Sequence, residues 1–177
     1  MKNAECKREF QYSSRLFILN SALFIISLRP SGLRKNPSAV EYQEDPMSKP
    51  VPDGARAEVE TTVELKHTLA AIHAAFPPVY STPQMIQLME EACFWALQPY
   101  QEGDEITVGT HVNVSHKAAT GIGSKVRSEA VMESFDGRFY TMRVRAWDET
   151  NEIGSGTVNR AFVSVGKFMA RMKGKGV

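Results

Sequence analysis

Cysteine is scarce in this chain: Cys6 and Cys93 are the only two in 177 residues. That is too few for a disulfide framework, and neither stands in a metal-type cysteine pair. An excess of one charge is also missing. Lys+Arg total 21 and Asp+Glu 20, a formal net charge of +1. Binding nucleic acid through a basic surface needs an excess that is not here, so nucleic acid is not an expected partner. No apolar run reaches the roughly 18 residues needed to span a bilayer. Internal repeats and low-complexity segments are absent too. What is present is ordinary for a soluble globular protein, 42% hydrophobic and 23% charged residues, in a length that suits one domain with a real core.

The first 46 residues differ from the rest. Lys2, Lys7, Arg8 and Arg15 lead into an apolar stretch from Leu16 to Leu28, broken by Asn20 and Ser21, and a polar run with prolines follows to Pro46. A basic start before a short apolar centre outlines a signal peptide. Against it, Arg29-Pro30 stands where a small-x-small cleavage site belongs, and Glu5 and Glu9 sit in the basic region. Met47-Ser48-Lys49-Pro50 reads as an ordinary cytosolic start. The expectation is therefore a domain over 47–177 in the cytoplasm, with 1–46 a disordered leader or an artefact of the assigned start. The alternative is a signal-like segment and export.

From Met47 on, hydrophobic periodicity marks the elements. Residues 57–66 alternate, with Val59, Thr61, Val63 and Leu65 on one side, as in a half-buried strand. Phe76-Pro77-Pro78 forbids a continuous helix through 67–80. A helix is expected from Thr82, read as the N-cap with Pro83 at the first helical position, to about Leu97, before Pro99. Four strands follow: Ile106 to Ser115, Lys125 to Phe135, Phe139 to Trp147 and Ile153 to Val165. Gly121-Ile122-Gly123, Asp136-Gly137 and Asp148 to Glu152 supply the turns, and Asp136-Gly137 is a strong hairpin signal. Lys167 to Lys173 reads as a last short helix. One long helix against an antiparallel sheet is an α+β arrangement.

On a helical wheel starting at Thr82, Ile86, Met89, Cys93 and Leu97 cluster within about 40° of their mean direction. Gln87, Glu91 and Gln98 fall opposite, so Glu91 reads as solvated. Glu90 falls at about 80°, on the border of the apolar face. A carboxylate there loses hydration, a condition common to functional acids. The plainer alternative has it lean to solvent or pair with an arginine. Phe94 and Trp95 widen the apolar arc beyond half the circumference, which calls for a wrapping sheet or a second subunit.

Several chemistries lack support. His67 and His73 flank a turn and read as surface residues. His111 and His116 are five apart, so an unbroken strand points them to opposite faces and they cannot easily share a metal. No Cys or Asp stands at a ligand spacing to help, so no metal is expected. There is no Gly-x-Ser-x-Gly elbow. Gly154-Ser155-Gly156 lies inside a strand and reads as a bulge or a close backbone contact. Gly121-x-Gly123 precedes a strand rather than a helix, unlike a dinucleotide fingerprint.

Residues from about Phe76 to Lys167 resemble the hotdog-fold thioesterases, specifically the fluoroacetyl-CoA thioesterase-like group. The resemblance is carried by Phe76-Pro77-Pro78-Val79-Tyr80-Ser81-Thr82, Leu88-Met89-Glu90-Glu91-Ala92-Cys93, Val108-Gly109-Thr110, Val114-Ser115-His116-Lys117-Ala118-Ala119-Thr120 and Glu152-Ile153-Gly154-Ser155-Gly156-Thr157, in that order and spacing. It implies a hotdog fold, an antiparallel sheet wrapped around one central helix, with two subunits joined into a continuous sheet as a homodimer. It implies hydrolysis of an acyl-CoA thioester without a cofactor, by a catalytic trio that falls on Thr82, Glu90 and His116. It also implies that Gly109 lies beside the thioester carbonyl and that Phe76 covers the acyl pocket. Arg160 matches a basic residue of the last strand and is left outside the catalytic set.

Two departures bear on the substrate. Pro83-Gln84 follows Thr82 where the family has a small and then an aromatic or apolar residue, and Glu91 stands where the fluoroacetyl-specific member has an aromatic. The expectation is therefore a short or modified acyl-CoA, without a preference for a fluorinated group. A hotdog dehydratase would need an Asp and a His near the start of the central helix, and the helix has neither. A non-catalytic acyl-CoA binding module of the same fold competes with the enzyme reading, as does a purely structural dimer subunit.

Overall fold

A computed structural model of the protein describes residues 51–174. The leader expected over 1–46 and the start at Met47 lie outside these residues. The chain runs β1 (Arg56–Thr62), α1 (Thr82–Leu97), β2 (Glu105–His116), β3 (Lys125–Phe135), β4 (Tyr140–Trp147), β5 (Glu152–Ser164) and α2 (Val165–Lys173), with short 3-10 turns at Leu65–His67, Leu69–Ala71 and Gln98–Tyr100. The five strands form one antiparallel sheet in the order β1-β3-β4-β5-β2. β2 is the first strand after the helix, yet it crosses to the far edge and, among the described residues, pairs only with β5. The sheet curls around α1, which touches all five strands. This is the hotdog arrangement.

The first strand is shorter than its alternation suggests. It ends at Thr62, because the chain turns away at Val63, whose N–H donates to Ser124 O and whose carbonyl accepts from Gly123 N. Leu65, expected on the buried side of that strand, lies in a 3-10 turn and is 58% exposed.

The buried face of α1 is rotated from the one the wheel predicts. Met85, Leu88, Met89, Ala92, Cys93, Ala96 and Leu97 are buried, while Ile86 is only half-buried. The sheet reaches the small-residue side because Ala92 and Ala96 admit it and because β5 offers glycine. A β-carbon on Gly154 would sit 2.5 Å from Met85 Sδ, and one on Gly156 would collide with the Asn113 carbonyl. These glycines are therefore close contacts, and the neighbouring bulge lies at Ile153, where β4 pairing shifts between Ala146 and Trp147. Each fully buried Met or Leu here contributes about 1.5–3 kcal/mol.

A bulge in β2 positions the site. Gly109 pairs with Arg160 and His111 with Asn159, so Thr110 is an extra residue. Gly109 and His116 are seven apart, an odd number that would place them on opposite faces of a regular strand. The extra residue restores parity. Gly109, Val112, Val114 and His116 stand opposite Arg160, Val158, Gly156 and Gly154, the β5 positions that face α1. His111 and His116 lie after the bulge in unbroken register and point to opposite faces.

Candidate active site

The helix starts at Thr82, as the sequence suggests, but its cap position lies one residue earlier. Ser81 is the N-cap, Thr82 the first helical residue and Pro83 the second. Ser81 is buried, 4% exposed, and Thr82 is thereby freed from capping. Its Oγ1 lies 2.9 Å from His116 Nδ1, at the end of β2. With its proton on Nε2, the His116 ring accepts from the Thr82 hydroxyl at Nδ1, the arrangement in which an imidazole can withdraw a proton. His116 Nε2 is itself buried and has no hydrogen-bond partner among the described residues. A buried donor left in that state invites an acceptor from outside the chain.

The first turn of α1 adds donors. Met85 N–H is already taken by Ser81 O at 3.0 Å, and Pro83 has no N–H. The N–H groups of Thr82 and Gln84 have no acceptor within the helix. They open toward the same end as the Thr82 hydroxyl, with the positive end of the helix dipole behind them.

A second group of residues gathers two turns further on. Glu90 is half-buried, and its carboxylate occupies the space over Gly109: a β-carbon at position 109 would fall well inside 3.0 Å of Glu90 Oε1 and 3.9 Å from Arg160 Nη1. Arg160 is 6% exposed. It donates through Nε to Thr107 Oγ1 at 3.2 Å, through Nη2 to Thr107 O at 2.8 Å and through Nη1 to the Glu90 main-chain carbonyl at 3.3 Å. Burial holds the guanidinium below its usual range, against the pull of Cys93 and Glu90. The Cys93 thiol is pushed up to about 12, chiefly by burial, with Arg160 opposing and Glu90 assisting.

The expected trio thus resolves into two poles. Thr82 and His116 are joined by a hydrogen bond, and the Glu90 carboxylate lies over Gly109. Among the described residues no hydrogen bond links the Glu90 carboxylate to Thr82 or His116. Eight residues of helix separate Thr82 from Glu90, about 12 Å of rise, on neighbouring sides of the wheel. Phe76 stands apart, 49% exposed, its ring 5.6 Å from that of His73. Glu91 is not the solvated residue the wheel suggests. It is half-buried, and desolvation raises its carboxyl above the usual range despite a hydrogen bond with the Trp95 side chain. Arg160, left outside the catalytic set, is the only charged residue that is buried among the described residues. The signal was available in Val158-Asn159-Arg160-Ala161-Phe162, where a cation takes an inward position of an alternating strand.

Comparison with known proteins follows the same lines. A family described as fluoroacetyl-CoA-specific thioesterase matches residues 63–166. The fluoroacetyl-CoA thioesterase of Streptantibioticus cattleyicolor is 44% identical over 102 residues, which cover 58% of this chain and 73% of that protein. The solved fluoroacetyl-CoA thioesterase FlK superposes with a TM-score of 0.66 at 38% identity, covering 70% of this chain and 96% of that one. A hot-dog-like protein of Thermanaerovibrio acidaminovorans matches at 18% identity with a TM-score of 0.65, over 70% of this chain and 92% of that one, and shares the fold.

Proposed function

The chain belongs to the fluoroacetyl-CoA-specific thioesterase family, and from that premise we propose that it hydrolyses short or polar acyl-CoA thioesters to a carboxylic acid and free CoA at the site built on Thr82, His116 and Glu90. The observation that carries this is the Thr82–His116 pair set among the free N–H groups at the start of α1. A thioester oxygen placed there meets donors and a helix dipole as it gains charge. One such donor is commonly worth about 10²–10³ in rate. His116 takes the proton of the Thr82 hydroxyl or of a water held by it, and the attacking oxygen adds to the carbonyl carbon. The tetrahedral intermediate collapses with loss of the CoA thiolate, a good leaving group that needs no strong acid at sulfur. The water route gives the carboxylic acid at once, while the Thr82 route leaves an acyl-threonine ester that a water deprotonated by His116 then cleaves to the acid.

The acyl group then points toward the Gly109–Glu90–Arg160 pole. A long alkyl chain would have to desolvate a carboxylate and a guanidinium there, which is unfavourable. A short or polar acyl group would not. This charged pole supports the expected substrate class, and the carboxylate of Glu90 is available to orient water for hydrolysis.

The working assembly is a homodimer joined along β2. Among the described residues that strand has a free edge 12 residues long, with neither Pro nor Lys to protect it. His111, Val112 and Asn113 on it are exposed. Such an edge invites pairing.

The decisive experiment is a thiol-release assay over a panel of acyl-CoAs graded by chain length and polarity. Turnover is expected to be fastest with the short and polar members and to fall steeply with chain length. No release from any of them would sink the proposal. CoA esters that bind without turning over would instead favour a non-catalytic binding module.

A further inference from the structure

Arg160 is a buried cation without a contacting counter-ion. Its three hydrogen bonds all go to neutral oxygens, two on Thr107 and one on the main chain of Glu90. Among the described residues no carboxylate lies within ion-pair distance of it. Burying a guanidinium on neutral acceptors is expensive, and an apolar residue of similar volume is often the more stable choice. A purely structural account therefore explains Arg160 poorly. Its charge faces the Glu90 carboxylate across the gap left by Gly109.

Thr107 decides where that charge stands. It is 4% exposed, two residues before Gly109 on the same strand, and it accepts from two different nitrogens of the planar guanidinium, through its hydroxyl and its carbonyl. Two bonds to one residue fix the plane of the fork and leave Nη1 directed at Glu90. A β-branched apolar residue would serve the strand equally well at this position, so packing alone does not call for the hydroxyl.

We propose that Thr107 is a positioning residue for the reaction: through Arg160 it holds a fixed positive charge at the Glu90 end of the site. This rests on the function proposed above, and the test separates the two. Thr107→Val removes the hydroxyl acceptor and keeps shape and strand propensity, and Thr107→Ser keeps the acceptor. Three quantities are measured on the full-length protein: the proton exchange rate of the Arg160 Nε–H signal by NMR, kcat and KM for the best acyl-CoA of the panel, and Tm.

Thr107→Val is expected to speed exchange of the Arg160 Nε–H at least tenfold and to lower kcat about tenfold with a smaller change in KM, in keeping with the loss of a hydrogen bond to a charged group. Thr107→Ser is expected to restore both. A valine variant with lowered Tm but wild-type exchange and kcat would overturn the proposal, since Thr107 would then be structural only. So would a serine variant as impaired as the valine one. If the wild-type protein hydrolyses no acyl-CoA, the proposed function falls and with it the positioning role of Thr107 in that reaction, while unchanged Nε–H exchange in an active Thr107→Val enzyme removes the positioning role alone.

Discussion

The Glu90 carboxylate occupies the place where residue 109 would carry a β-carbon, so glycine at 109 is what allows the acid to reach the inner face of β2. The clash in Gly109→Ala falls on the far end of a flexible side chain. The carboxylate can swing away at little cost to the fold. The expected outcome is a kcat lowered about 10²-fold, the lower end for a displaced acid–base group, with Tm nearly unchanged. Steady-state kinetics beside a thermal melt checks both, and full activity in the alanine variant would show that the carboxylate position does not matter.

Thr82 and His116 form a coupled pair, and coupled groups lose their contribution once. Thr82→Val and His116→Ala are each expected to lower kcat about 10²-fold or more, and the double variant is expected to be little worse than the poorer single one. Thr82→Ser keeps the hydroxyl and should retain most activity. A fully additive double-mutant cycle would mean that the 2.9 Å contact has no part in turnover.

Much of this architecture is legible in the residues alone. Thr82 to Leu97 as helix and Lys125 to Phe135 as strand fall where the periodicity puts them, because Pro83, Pro99 and the Asp136-Gly137 turn set unambiguous local boundaries. What escapes is what local signals do not encode. The extra residue at Thr110 leaves no mark in Val108-Gly109-Thr110-His111, yet it alone brings Gly109 and His116 to one face. The buried arc of α1 is set by which side the sheet covers, a tertiary choice, so periodicity places Ile86 too deep and Glu91 too shallow. The N-cap position falls to Ser81, whose side chain makes no capping hydrogen bond, rather than to Thr82, since both residue types suit the position and only the fold decides between them. Residue types and the family resemblance point to Thr82, Glu90 and His116, but their division into two poles is visible only in three dimensions.

Cys93 is wholly buried, and its thiol is pushed up to about 12 by burial. Almost no thiolate exists at about pH 8, and none of it is accessible. Alkylation of Cys93 by iodoacetamide is expected to be negligible in the native protein and rapid in denaturant, read by peptide mass spectrometry. Rapid native labelling would mean that α1 opens from the sheet far more often than its packing implies.

The free edge of β2 makes the proposed dimer testable. Val112 is 37% exposed on this edge strand, so Val112→Asp would bring a carboxylate from each subunit into the proposed seam. The expected outcome is dissociation in sedimentation velocity with a parallel loss of activity. A variant that remains dimeric and active would place the interface elsewhere.

Neighbouring acids on α1 should separate cleanly by function and by pH. Glu90→Gln is expected to lower kcat by about 10²–10⁴, and Glu91→Gln to leave it unchanged. Stability should respond the other way. Desolvation raises the Glu91 carboxyl in the folded protein, so the folded state keeps that proton to higher pH than the unfolded chain does. Between the ordinary glutamate range and the raised value the folded state binds more protons, and stability therefore falls as pH climbs through that window. Above it the penalty is constant. Glu91→Gln removes the charge but keeps an acceptor for Trp95. Its Tm should exceed that of the wild type at about pH 7 by about 1–3 °C, a modest figure because the group is partly solvated. The difference should vanish below about pH 4, where both forms are neutral. A gap of the same size at both pH values would show that packing, not ionisation, separates the two proteins.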